Sequence, residues 1–146
     1  MKKQLLSILS ILAFTVSSFA QSAGGGDCSD LFLSEYVEGW GNNKAVEIYN
    51  PTGNTINLSN YRIARYSNGS TSPSPVTLSG TVAPYGVFVV VLDKRDPNGV
   101  ELEEPIDSDL EIRADLFVNP IFSPPTSAMY FNGNDAVALL TLSNQV

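Results

Sequence analysis

The stretch LFLSEYVEGWGNNKAVEIYNPTGNTINLSNY, residues 31–61, decides the fold of this chain. Its first apolar run alternates side chains with a period of two, which is typical of a β-strand with one buried face. The Gly and Asn residues at 39–43 supply the positive φ angles that a tight hairpin turn requires. A second apolar run, residues 44–50, follows this turn. The stretch therefore predicts two antiparallel strands joined by a short turn.

Charge pairing indicates how these two strands are aligned. Pairing Glu38 with Lys44 places opposite charges side by side next to the turn, which favours this register. Because side chains alternate between the faces of a sheet, a slip of one residue would reverse every face. The same register predicts four further cross-strand pairs: Tyr36 with Val46, Glu35 with Glu47, Ser34 with Ile48, and Leu33 with Tyr49.

Glu35 and Glu47 are the first candidate functional residues, because carboxylates directly opposed on adjacent strands repel each other. A cation, a shared proton or a neighbouring arginine must compensate for this repulsion. Arg62 and Arg65, on the strand predicted next, favour an arginine lying across the pair, or a pair that is simply solvated. Two alternatives stay open: a bound divalent cation such as Ca²⁺, and catalysis by paired carboxylates of the kind that glycosidases use.

The longer succession SEYVEGWGNNKAVEIYNPTGNTINLSNYRI, residues 34–63, resembles the secreted bacterial form of the lamin tail domain. Its most specific part is EIYNPTG at residues 47–53, followed by Leu58 and Tyr61. In this block Asn, Pro and Gly make turns, while Ile and Leu are core residues. The resemblance covers residues 30–140, which is nearly all of the chain after its N-terminal segment.

This resemblance implies an all-β fold, an immunoglobulin-like β-sandwich of the lamin tail domain type, over residues 31–146. It implies no activity, because one fold can host many functions. The VFVVVL run at 87–92 fits a sandwich, since an unbroken apolar run is typical of a central strand covered on both faces. The segment NGNDAVAL at 132–139 also resembles the family, and its Asn-Gly turn predicts a hairpin between 129–131 and 136–140.

The most acidic part of the chain is residues 93–115. Its candidate ligand-binding side chains are Asp93, Asp96, Glu101, Glu103, Glu104, Asp107 and Asp109. Clustered carboxylates can hold Ca²⁺, but their spacing does not match an EF-hand, so the pattern favours a solvated loop. Binding residues concentrate on loops held by a rigid scaffold, so any specificity is predicted here. Asn134 and Asp135 are a further alternative metal site, beside a turn that merely closes the hairpin.

The N-terminus has the three parts of a secretory signal. A short positive start precedes an apolar run at 5–19, and small residues at positions −3 and −1 predict cleavage after Ala20. Residues 1–20 are therefore the predicted signal peptide and residues 21–30 a flexible linker, which predicts a secreted protein, extracellular or periplasmic, with no membrane span after cleavage. The lone Cys28 is a free thiol, an intermolecular bridge, or the partner of a cysteine in sequence not present here.

Composition disfavours several function classes. The chain has 15 acidic and 8 basic side chains, a net charge of −7, and removal of the signal leaves 6 basic side chains and a charge of −9. Nucleic acids bind through Lys and Arg, so direct nucleic-acid binding is disfavoured. The chain has no histidine, which excludes Ser-His-Asp sites, Cys-His sites and most zinc sites within it. An enzyme would have to work with carboxylates alone.

Two functions agree with these observations. The first is a non-catalytic exported domain that binds a protein, a glycan or a component of the cell envelope. The alternative is the N-terminal accessory or targeting module of a larger extracellular nuclease or phosphoesterase. The resemblance implies this because the same domain occurs as a module of such exported bacterial enzymes. The chain is then a fragment, incomplete at its C-terminal end. No cofactor is predicted beyond the open alternative of Ca²⁺. Candidates for a carbohydrate-binding or protein-binding platform are Trp40, Tyr36, Tyr49, Tyr61 and Tyr66.

Overall fold

The computed structural model describes residues 28–96 and 104–143. Within these residues nine strands occur: β1 (Phe32–Glu38), β2 (Lys44–Tyr49), β3 (Ile56–Asn57), β4 (Tyr61–Tyr66), β5 (Ser74–Thr77), β6 (Thr81–Val82), β7 (Val87–Leu92), β8 (Leu116–Val118) and β9 (Ala136–Thr141). Helical segments are short: the α-helix α1 (Ser108–Glu111) and the 3₁₀ helices Leu58–Asn60 and Ser67–Gly69. The predicted signal peptide and its cleavage site at Ala20 lie outside the described residues. Cys28 is an exposed free thiol.

The strands form two larger sheets and one small pair. One sheet has four strands in the order β1-β2-β7-β8, and the other has three strands in the order β5-β4-β9. The strands β3 and β6 pair separately. The pairing is antiparallel except between β7 and β8, which are parallel. This arrangement confirms the predicted all-β fold.

The two larger sheets bury one hydrophobic core between their inner faces. The four-stranded sheet contributes Val46, Ile48 and Val90, which are fully buried, and the three-stranded sheet contributes Ile63. Phe131, from the segment between β8 and β9, fills the same core. Two sheets that share a core in this way form a β-sandwich, which is the architecture that the sequence predicts.

The strand β7 is covered on both faces, as its continuous apolar sequence predicts. Val90 and Leu92 point into the sandwich core. Val91 points the other way and packs with Ala45 and Ile106 in a second, smaller cluster. The segment around α1 covers this side of the sheet and leaves a groove beside it.

The register between β1 and β2 is confirmed next to the turn and wrong beyond it. The salt bridge between Glu38 and Lys44 forms, at 4.0 Å, and Glu35 pairs with Glu47. A bulge at Ser34 then places two residues of β1 opposite Glu47. The predicted pairs of Ser34 with Ile48 and of Leu33 with Tyr49 are replaced by two others: Leu33 with Ile48, and Phe32 with Tyr49.

This bulge has a physical cause. It lets Leu33 pack against the sandwich core, whereas the predicted register would have placed the polar Ser34 opposite Ile48. The displaced Ser34 hydroxyl donates a hydrogen bond of 2.6 Å to the carboxylate of Glu47. A polar residue is therefore moved out of the core at the expense of one step of regular pairing.

The predicted hairpin around residues 132–135 is wrong in its pairing. The turn exists, because the amide of Asp135 donates to the carbonyl of Asn132 at 2.8 Å. Residues 129–131, however, form no strand, and β9 pairs with β4 in the three-stranded sheet. Phe131 is fully buried in the core, so this side of the turn is fixed by packing rather than by strand pairing.

Candidate functional site

The two candidate glutamates lie on the outer face of the four-stranded sheet. Glu47 sits between Val46 and Ile48, which point into the core, so its own side chain points outward. Glu35 is directly opposite on β1 and is exposed. The Ser34 hydroxyl bonds to Glu47 but not to Glu35. Two carboxylates thus meet on one surface, and within residues 28–96 and 104–143 the hydrogen-bond donor to this pair is the neutral Ser34 hydroxyl on Glu47.

The prediction that Arg62 or Arg65 lies across this pair is wrong, whereas its alternative, a solvated pair, agrees with the exposure of Glu35. Both arginines are on β4, which belongs to the other sheet. Arg65 is 7 % exposed and binds Asp135 at 3.4 Å and the Ser127 hydroxyl at 3.0 Å. Arg62 lies across from Thr77 on the same sheet. The strand β4 therefore belongs to a different sheet from β1 and β2, although it follows them closely in sequence.

The glutamate pair borders a groove of about 340 Å³, which we call the outer groove. The groove lies between the outer face of the sheet and the segment around α1. Its walls are formed by Glu35, Val37, Glu47, Val89, Leu110 and Arg113, among others. Arg113 lines the groove without forming an ion pair with either glutamate, as far as the described residues show. The groove is therefore lined by both apolar and charged side chains.

Sequence reasoning missed Leu110 and Arg113 as parts of this site. Both lie in the stretch interpreted as a solvated acidic loop. The available signal was their spacing, since residues three apart on a helical turn share one face. Leu110 packs against the cluster around Val91, and this contact carries Arg113 to the groove.

The acidic residues of 93–115 that the structure describes do not form one cluster. Asp93 receives two hydrogen bonds from Arg95, at 2.8 and 2.9 Å, and these bonds hold the pKa of the Asp93 carboxyl below its usual range. Asp107 caps α1 by accepting a hydrogen bond from the Asp109 amide at 2.8 Å. The other three described members are placed as follows: Asp96 and Asp109 are exposed, and the Glu104 carbonyl accepts from Asn42 at 2.7 Å.

Two of the predicted acidic candidates, Glu101 and Glu103, lie outside the described residues. The prediction that this loop carries specificity therefore stays a prediction for that part of it. The alternative metal site at Asn134 and Asp135 is wrong in its geometry. The Asp135 carboxylate points inward to Arg65 and has a side-chain exposure of 0 %.

The geometry of the glutamate pair is poor for Ca²⁺, which takes six to eight oxygen ligands. No group of three or more carboxylate, thiol or imidazole side chains in the described parts of the chain could hold a metal ion. We expect the melting temperature of the full chain to agree within about 1 °C between about 1 mM CaCl₂ and excess EDTA, measured by circular dichroism. A rise of several degrees in calcium, abolished in Glu35→Gln, would contradict this expectation.

The tip of the β1–β2 hairpin presents Trp40, which is 87 % exposed. The turn is held by a hydrogen bond from the Gly39 amide to the Asn43 carbonyl at 2.8 Å. The Asn43 side chain adds two bonds, donating to the Trp40 carbonyl at 3.0 Å and accepting from the Asp107 amide at 2.7 Å. An exposed indole therefore stands on a well-anchored turn that the acidic segment supports.

The five aromatic residues considered as a binding platform do not lie together on one surface. Tyr61 is buried, and its hydroxyl donates to Asp30; burial and this hydrogen bond raise the pKa of Tyr61 to about 12. Tyr36 packs against Phe131, with 4.6 Å between the ring centroids. Tyr66 is on the three-stranded sheet. The aromatic side chains are thus dispersed over different parts of the sandwich.

Comparison with known proteins supports the fold and its family. The sequence profile of the Lamin Tail Domain family matches residues 26–146. A search of the curated proteins returns no match. No helix among the described residues is long and apolar enough to cross a membrane. Because the profile covers most of its length, the chain belongs to the Lamin Tail Domain family, a family of immunoglobulin-like domains without catalytic machinery.

Proposed function

We propose that this chain is an exported, non-catalytic domain that binds a protein, a glycan or a component of the cell envelope. The observation that carries the proposal is the outer groove, a cleft lined by apolar and charged side chains on the outer face of the four-stranded sheet. Val37 and Val87, which line it, are 38 % and 50 % exposed. Exposed apolar side chains rimmed by charge are typical of interaction surfaces.

Export is tested by expressing the full chain in a bacterial host. We expect the protein in the periplasm or the medium to begin at Gln21, as determined by mass spectrometry of its N-terminal peptide. Ala20→Glu removes the small residue required at the cleavage site, so this variant should remain uncleaved and associated with the membrane fraction. Recovery of the wild-type protein in the cytoplasm with Met1 retained would contradict export.

Binding is tested with the processed protein, labelled and mixed with intact cells and with separated envelope fractions. We expect retention that Val87→Lys lowers about tenfold, because a charge then stands in the apolar wall. Ile121→Lys is a matched control, since Ile121 is 51 % exposed and does not line the groove. Treating the fractions with protease or with glycosidases then separates a protein partner from a glycan. Equal retention of wild type and Val87→Lys would contradict a role for this face.

The same surface would serve an accessory module of a larger extracellular nuclease or phosphoesterase. Sequencing the gene beyond the codon for Val146 tests this arrangement, and an immediate stop codon contradicts it. The domain itself is expected to show no hydrolysis of DNA, phosphoesters or glycosides. Hydrolysis by the purified chain that disappears in Glu35→Ala or Glu47→Ala would overturn its assignment as non-catalytic.

A further inference from the structure

The charge of the outer groove is unbalanced at the glutamate pair. Directly opposed like charges on neighbouring strands destabilise a sheet. The arginines of β4 are in the other sheet, and the Ser34 hydroxyl gives one neutral hydrogen bond to Glu47. Among the described residues, no Lys or Arg side chain lies within ion-pair distance of Glu35 or Glu47. A positively charged group brought by a partner would relieve this repulsion.

The surroundings of the pair favour an organic cation over a bare ion. Val89 lies next to Glu47 on β7, and Val87 is one step further along the same strand. Beyond them the rings of Phe32 and Tyr49 meet edge to face, with 5.5 Å between their centroids. A Lys or Arg side chain can lay its methylene stem on such apolar surface while its charged end reaches a carboxylate.

The groove also continues past the pair. A shallower depression of about 330 Å³ shares Val37, Leu110 and Arg113 with the outer groove and extends to Asp107 and Asp109. Carboxylates therefore stand at both ends of one continuous surface, and Arg113 lies between them. Such a track suits an extended chain, whose side chains alternate, better than a compact small molecule.

The identity of the occupant rests on the proposed function, because it specifies the partner that the outer groove binds. We infer that the outer groove and its continuation bind an extended basic segment of a protein. One Lys or Arg of that segment lies between Glu35 and Glu47, and neighbouring apolar side chains contact Val37 and Val87. A second copy of this chain fits poorly, because a net charge of −7 on each copy opposes association.

The test uses the full chain after export and a fluorescein-labelled ten-residue peptide that alternates Lys and Val, read by fluorescence anisotropy. We expect a dissociation constant in the range of about 10–100 μM at low salt, weakening as salt is added. Glu35→Gln combined with Glu47→Gln should weaken binding about tenfold. Glu104→Gln combined with Glu111→Gln changes the net charge equally outside the outer groove and should change binding less than about twofold.

Two comparisons decide the inference. A peptide with Glu in place of Lys should not bind, and Glu35→Gln alone should raise the melting temperature, because it removes a like-charge contact. Equal weakening by the two double variants, or a lowered melting temperature in Glu35→Gln, overturns the inference. Retention on cells that is sensitive to Val87→Lys, without peptide binding, overturns this inference but leaves the proposed function standing. Loss of both results overturns the proposed function as well.

Discussion

Asp135→Ala is expected to lower the free energy of unfolding by about 3–5 kcal/mol, because it leaves the buried guanidinium of Arg65 without its counter-charge. The two side chains lie 3.4 Å apart, and their side-chain exposures are 0 % for Asp135 and 8 % for Arg65. The Asp135 carboxylate also accepts hydrogen bonds from the amides of Asn68, at 2.9 Å, and Asn132, at 3.2 Å. Its removal therefore loosens the turn before β9 and the end of β4 together.

Urea titration followed by far-UV circular dichroism measures this loss. Fluorescence of Trp40 is unsuitable, since this single Trp is already exposed in the folded protein. Asp109→Ala is the control, because Asp109 is exposed and should change stability by less than about 0.5 kcal/mol. The double variant Arg65→Met with Asp135→Leu should recover much of the loss, since replacing both charges by apolar groups is often nearly neutral. Equal stabilities of Asp135→Ala and Asp109→Ala would contradict the prediction.

The network around Asp135 also shows what a local sequence pattern can and cannot predict. The turn at 132–135 is correctly indicated by its Asn and Gly residues, because turn geometry depends on neighbouring residues alone. The pairing partner of the following strand is not indicated, because β9 pairs with β4, whose residues lie 70 to 80 positions earlier in the chain. Arg65 similarly finds its carboxylate in a distant turn rather than in the hairpin that precedes it.

The outer groove illustrates the same limit. Opposition of Glu35 and Glu47 follows from the alternation of two adjacent strands and one charge pair, so the sequence predicts it correctly. The bulge at Ser34 does not follow, because it balances core packing of Leu33 against regular pairing. Arg113 reaches the groove only through the packing of Leu110 on the sheet. Sequence motifs therefore do not predict the site residues whose positions depend on tertiary packing.

The block EIYNPTG, which carries the resemblance to the family, acquires a structural meaning through Asn50. This side chain is fully buried at the end of β2. Its amide donates to the carbonyls of Asn54 at 2.7 Å, Val82 at 3.2 Å and Ala83 at 3.0 Å. Its oxygen accepts from the amide and hydroxyl of Thr52, at 3.0 and 2.8 Å. One asparagine thus connects its own turn to the chain around β6.

Asn50→Ala is therefore expected to lower the free energy of unfolding by about 3 kcal/mol, since buried carbonyl groups lose their donor. Thr52→Ala removes the hydroxyl that donates to the Asn50 oxygen at 2.8 Å and also bonds to the Asn54 backbone at the exposed edge of the same turn. This change should cost about 1 kcal/mol. Urea titration of the three proteins measures both losses. A loss in Asn50→Ala no larger than in Thr52→Ala would mean that water replaces the amide, and the turn would then not depend on this residue.

Asn50→Asp separates the loss of the donor from the loss of packing, because aspartate has nearly the same shape but no N–H group. Burial beside carbonyl oxygens raises the pKa of such a carboxyl above its unfolded value of about 3.9. The protonated acid can donate one hydrogen bond, so the stability of Asn50→Asp relative to wild type should be best below about pH 4. It should decrease as the pH rises through the folded-state pKa. A difference from wild type that is independent of pH would place the effect in packing, and the hydrogen-bond account of the family's signature turn would be wrong.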